Sequence, residues 1–175
     1  MKKILTICIF TISIGSAFSQ HVDFTLNRPK IFSIDSIEKS KKGELFETSI
    51  SITVSKDYFP NADKFNLANP LIYFRNGEIF NLETNYYYSL PDSIIRLVSY
   101  SWDGSPKMVN YLNTLFESNS NIFTQYFGLK GEEKNEHHDT WDLKSLTWQN
   151  DSVYVNQFFV TSQSTNRVRV LISWK

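Results

Sequence analysis

Residues 93–128 read SIIRLVSYSWDGSPKMVNYLNTLFESNSNIFTQYFG, and the spacing of apolar residues changes within this stretch. Ser93 to Trp102 is rich in β-branched and aromatic residues and is apolar on both faces, which predicts a strand near the middle of a sheet. Ser105 suits a helix N-cap and Pro106 the first helical position. Met108, Leu112, Leu115, Phe116, Ile122, Phe123, Tyr126 and Phe127 then recur at helical spacing, and Gly128 supplies a stop. The stretch therefore predicts a central strand feeding one long amphipathic helix, about 106–127. Ser118 to Asn121 are weak helix formers and predict a bend or break there.

The flanking sequence reads as strands on both sides. Leu45 to Val54 alternates, with Phe46, Ile50, Ile52 and Val54 on one face. Leu71 to Phe74 and Ile79 to Leu82 read as a hairpin around Asn76-Gly77, the dipeptide suited to a type I′ turn. Tyr86 to Leu90 precedes the Pro91-Asp92 turn. After the helix, Gly131 to Asp139 reads as a charged loop. Trp141 to Trp148, Val153 to Val160 and Val168 to Trp174 then read as strands. Lys56 to Asn69 is a connector with room for a helical turn. Val22 to Ile37 could hold one or two strands around Pro29. Hairpin-length links favour antiparallel pairing. The expected fold is α+β: a mostly antiparallel sheet of about six to eight strands with one helix packed on one face.

Two hairpin sequences look alike, Phe74 to Phe80 and Trp148 to Tyr154. Shared turn chemistry explains this more cheaply than internal duplication, because tight turns demand Asn, Asp and Gly.

The first residues have the three parts of an export leader. Lys2 and Lys3 are followed by the apolar run Ile4 to Ile14, and then by Gly15, Ser16 and Ala17. Ala17 and Ser19 suit the −3 and −1 positions of a cleavage site. The run is too short for a spanning helix, which needs about 20 apolar residues. The expected organisation is a cleavable signal peptide, residues 1–19, and one domain, residues 20–175. The destination is extracytoplasmic, periplasmic or secreted, with no transmembrane segment after cleavage. Cys8, the only cysteine, falls inside the apolar run, so the mature domain would be cysteine-free and would have no disulfide or thiolate ligand.

The chain carries 18 basic and 18 acidic residues. Losing Lys2 and Lys3 leaves 16 against 18, with no basic stripe, which disfavours nucleic acid as a partner. No phosphate loop, dinucleotide fingerprint or nucleophile elbow is present, so no cofactor is expected. Ser36-Ile37-Glu38-Lys39 matches Ser-x-x-Lys without its partner motifs. His137 and His138 lie among Glu132, Glu133, Glu136 and Asp139, but adjacent residues of an extended chain point to opposite faces, so no metal site is expected. Asp103, Glu117, Asp139 and Asp142 are candidate carboxylates for hydrolysis, with nothing to bring two of them together. Asn150-Asp151-Ser152 is a sequon that also reads as a plain turn.

Aromatic residues make up 15% of the chain. Rings fill cores first, but Tyr and Trp also serve binding surfaces. Tyr86, Tyr88, Tyr100, Trp102 and Trp141 are the candidates for a partner-binding face. The expected function is an exported non-enzymatic binding or accessory domain of the cell envelope, meeting a protein or glycan through the sheet face opposite the helix. The alternatives are a small extracytoplasmic hydrolase and a small outer-membrane β-barrel. N-terminal sequencing of the protein recovered from outside the cytoplasm is expected to begin at Gln20. A chain that retains Lys2 and Lys3 would overturn the leader assignment.

Overall fold

The computed structural model describes residues 22–56 and 58–175. The leader, Cys8 and the cleavage site lie outside the described residues. The chain forms α1 (Ile34–Ser40), β1 (Glu44–Phe46), β2 (Leu71–Arg75), β3 (Leu82–Tyr88), β4 (Ile95–Gly104), α2 (Val109–Phe127), β5 (Glu132–His137), β6 (Trp141–Gln149), β7 (Val153–Ser162) and β8 (Asn166–Trp174). The strands make one antiparallel sheet in the order β1-β2-β3-β4-β8-β7-β6-β5. The α+β fold with its long helix is as the sequence predicts. Each half is a helix followed by a four-strand meander, and the halves meet at the β4–β8 ladder. The two similar hairpins thus occupy matching places. The sheet is open, with β1 and β5 at its two edges.

The helix starts with a 3-10 turn, Pro106–Met108, and runs unbroken to Phe127. Ser105 makes no side-chain cap; instead its carbonyl accepts the Met108 amide at 2.9 Å. Gly128 has φ 71°, a left-handed conformation in which a side chain would be strained, and its amide closes the helix on Thr124. The expected break at Ser118–Asn121 is absent. Asn119 and Ser120 belong to the buried stripe with Leu112, Leu115, Phe116 and Phe123. The Ser120 hydroxyl bonds the Phe116 carbonyl at 2.8 Å, and the Gln157 side chain donates to the same carbonyl at 2.7 Å. Tertiary packing overrides weak propensity here.

Period-two alternation sorts the sheet into two faces. Leu82, Tyr86, Val98, Tyr100, Trp102, Trp148, Val155, Phe159, Val168, Val170 and Ile172 point under the helices and form the main core. Residues 22–28 strap the gap between α1 and α2. Phe24 packs there against Tyr100, Trp102 and Phe123, with centroids 5.1, 6.4 and 4.7 Å away. The Trp174 indole donates to the Leu26 carbonyl at 2.9 Å.

Other local expectations are corrected. First, the strand read over Leu45–Val54 pairs only through Phe46. Phe46 sits opposite Ile72, so continuing the ladder would set Thr48 against Pro70, which has no amide to donate. The chain instead crosses to the second face of the sheet, where Val54, Phe59 and Phe65 cover Tyr87, Leu97, Phe158 and Leu171. Second, the Asn76-Gly77 link is not a two-residue turn. Neither residue has positive φ, and Arg75 pairs with Leu82. Phe80 is drawn into the core against Gly104, which lengthens the loop. Third, the two short strands read over 79–82 and 86–90 are replaced by one continuous β3. Fourth, Gly131–Asp139 is mostly strand β5, and Ile34–Ser40 is helix α1.

α1 is fastened by a buried ion pair. The Arg75 guanidinium donates to Glu38 through Nε at 2.7 Å and Nη2 at 2.6 Å, and the Tyr86 hydroxyl bonds the same carboxylate. Glu38 has no solvent exposure. Removing one member of such a pair strands the other charge and costs about 3–5 kcal/mol, whereas an apolar pair of similar size is tolerated. Glu38→Ala is therefore expected to lower urea stability by that order, and Glu38→Leu with Arg75→Met is expected to recover most of the loss. Equal destabilisation by the single and double variants would refute the pairing.

Candidate functional site

Segment 47–67 covers only part of the second face. Beyond it lies an open groove of about 520 Å³, lined by Tyr58, Trp141, Leu143, Phe158, Val160, Ser162, Thr165, Arg167 and Arg169. Register explains why these residues meet. Leu143 pairs with Val160, Val160 with Arg167, and Arg167 with Asp103, giving one row across four strands. Ser145, Phe158, Arg169 and Ser101 form the next row. The floor is therefore Leu143, Val160 and Phe158, with guanidinium groups along the side nearer the middle of the sheet.

Tyr58 and Trp141 supply the aromatic surface. The Tyr58 ring meets Phe158 edge-on at 5.2 Å, and the Arg169 guanidinium lies over Tyr58 at 5.7 Å from the centroid. Trp141 is stacked against His138 at 3.7 Å with an interplanar angle of 19°. His138 Nε2 in turn faces Glu136 at 3.4 Å. That chain of contacts holds the indole at the end of the groove. Arg167 pairs with Asp103 in a two-point bond, with Nη2 to Oδ2 at 2.8 Å, and this contact holds its guanidinium in the charged form. Arg169 differs: among the described residues no carboxylate pairs with it, and its buried Nε has no hydrogen-bond acceptor.

Of the five aromatic candidates, the structure brings only Trp141 to this groove, where it is half-buried. Tyr86, Tyr100 and Trp102 are 0% exposed beneath the helices, and Tyr88 is half-buried against the same core. Even-numbered residues of β3 and, from Val98 onward, of β4 face the helix layer, and Trp141 lies on the other face. Sequence reading missed Tyr58, Phe158, Arg167 and Arg169. The available signal is the alternation in β8, which puts the two arginines on the face opposite Val168 and Val170.

The carboxylate candidates disperse. Asp103 bonds Arg167, Glu117 meets Lys144 at 3.1 Å, Asp142 contacts His137, and Asp139 is exposed in the β5–β6 turn. Ser36 and Lys39 lie on α1, where Lys39 pairs with Asp35. His137 and His138 turn to different partners, as expected of neighbours on an extended strand. Among the described residues no group of three histidine or carboxylate side chains is placed to hold a metal ion. A second hollow of about 430 Å³, beside the β5–β6 edge, contains the His137–Asp142 contact. The His137 side chain is 87% exposed, so water screens that pair rather than a dry cavity sharpening it.

Burial, above all, raises the Tyr86 and Tyr100 phenols well above the ordinary value of about 10. A raised acid favours the folded state while the unfolded phenols remain neutral. That stability is complete below about pH 10 and is lost as pH climbs further and the unfolded chain ionises. Tyrosinate absorbance should therefore rise for the exposed tyrosines first, with the remainder appearing as one step together with loss of near-ultraviolet dichroism. Tyr86→Phe and Tyr100→Phe should leave the early phase unchanged. An early phase diminished by either substitution would show that phenol to be accessible.

No protein-family model matches the chain, and neither does any curated protein sequence or solved structure, so its functional reading rests on the geometry above.

Proposed function

We propose that this chain is an exported, non-enzymatic binding or accessory domain of the cell envelope that engages a protein partner through the groove on the sheet face opposite α2. One observation carries the reading: Trp141, Tyr58, Arg167 and Arg169 converge on an open apolar floor. Trp, Tyr and Arg are the residue types that dominate binding energy at protein interfaces when they surround a desolvated centre.

The floor also favours a protein over a glycan. Leu143, Val160 and Phe158 offer side chains without donors or acceptors, and sugar hydroxyls pressed against them would lose their hydrogen bonds with water. An apolar side chain from a partner gains burial there instead. Export is supported by the leader-like residues 1–19. A domain whose described residues hold together without a disulfide is compatible with that destination.

The test is site-directed photocrosslinking in the native cell envelope. A photoreactive residue at Tyr58 or Trp141 is expected to capture one protein in stoichiometric yield, while the same probe at Tyr126, exposed on α2, captures none. Trp141→Ala should weaken that complex by roughly thirtyfold, the size of a 2 kcal/mol interface residue, without lowering the melting temperature. Equal labelling from both faces, or glycan adducts alone, would overturn the proposal.

A further inference from the structure

We infer that the partner segment seated in this groove is acidic, and that it places a carboxylate on Arg169 beside an apolar side chain on the Phe158–Val160 floor. The inference rests on the proposed function and adds the chemistry of the recognised segment.

Among the described residues, the two charged ones that line the groove are both arginines. Among the described residues, Asp103 and Glu83 are the acids on β3 and β4 that share these rows of the sheet. Asp103 sits across the β4–β8 ladder and occupies Arg167 with a two-point bond. Glu83 pairs with Ser101, which itself pairs with Arg169, so it lies two strands from Arg169, and it accepts the Asn85 side-chain amide at 2.6 Å. Arg167 is thus neutralised within the fold. Arg169 keeps its charge uncompensated among the described residues.

The second observation is the state of Arg169 itself. Its Nε is buried and lacks an acceptor. A buried donor left unpaired costs free energy comparable to a lost hydrogen bond. The guanidinium carbon lies 5.7 Å from the centroid of the Tyr58 ring, a cation–π contact that limits the side chain's freedom. A planar fork held in this way matches a carboxylate, which can take two parallel N–H···O bonds. Phe158, directly across the ladder from Arg169, supplies the apolar surface next to that anion. The recognised segment therefore combines Asp or Glu with a neighbouring large apolar residue.

Selection of phage-displayed random 12-residue peptides on the mature protein tests this. Enriched peptides are expected to carry Asp or Glu next to Leu, Ile, Phe or Met. Their affinity should fall at least tenfold on Arg169→Gln, with a weaker salt dependence. Replacing the peptide's own Asp by Asn, or Glu by Gln, should cause the same loss on the unaltered protein, so the result stands even if Arg169→Gln folds poorly. Enriched peptides that lack acids, or that ignore both changes, overturn the inference. If those peptides still lose binding on Trp141→Ala, the groove reading survives. Peptides indifferent to Trp141→Ala, or no enrichment at all, overturn the groove reading as well.

Discussion

The ladder between β4 and β8 is the constraint on which the rest of this molecule depends. It runs from Leu97 opposite Ser173 to Gly104 opposite Asn166 and is, among the described residues, the one strand-to-strand link between the two meanders. Its even-numbered side chains, among them Val98, Tyr100, Val168 and Val170, lie under the helix layer. Its odd-numbered ones, Asp103, Arg167 and Arg169, supply charge to the opposite face. A shift of one residue in this register would put arginines into the core and valines into the groove. The ladder therefore holds the stability of one face and the recognition chemistry of the other in a single choice of pairing.

Much of this was legible because it is local. The spacing of Leu112, Leu115, Phe116 and Phe123 determines a helix face, and the alternation in Val168–Trp174 determines a strand. The Asn150 turn follows from a side chain that accepts the amides of Ser152 and Val153, both at 2.9 Å. What escaped depends on partners far along the chain. Glu132–His137 has no apolar period at all, because an edge strand paired on one side needs no buried face, and its charges discourage a second strand from joining it. α1 is too short to show a stripe and is held through Glu38 by Arg75. The β1 strand ends early because Pro70 immediately precedes its neighbour β2.

The groove was legible only in part, for the same reason. Aromatic enrichment pointed to recognition, but composition cannot distinguish a ring under the helices from one on the other face. Tyr86, Tyr100 and Trp102 share their parity with the core, while Trp141 does not. Tyr58 reaches the groove only because the chain leaves β1 and crosses the second face. That crossing divides the face into a sealed half, around Leu97 and Leu171, and an open half. The absence of a regular strand over 47–56 is thus what shapes the groove.

Placing β8 at the centre of the sheet has a consequence for the order of events during synthesis. Of the eight described strands, the last in chain order is the one that both meanders need, so neither β4 nor β7 has its second neighbour until residues 166–174 are available. A chain made N-terminus first therefore keeps its central ladder open until β8 is available. It also exposes the edges of β4 and β7 throughout that interval, when unpaired strand edges are most prone to wrong pairing. The backbone hydrogen bonds of the long helix between the meanders are local, so it can begin to form before β8 arrives, while its packing on the sheet comes later.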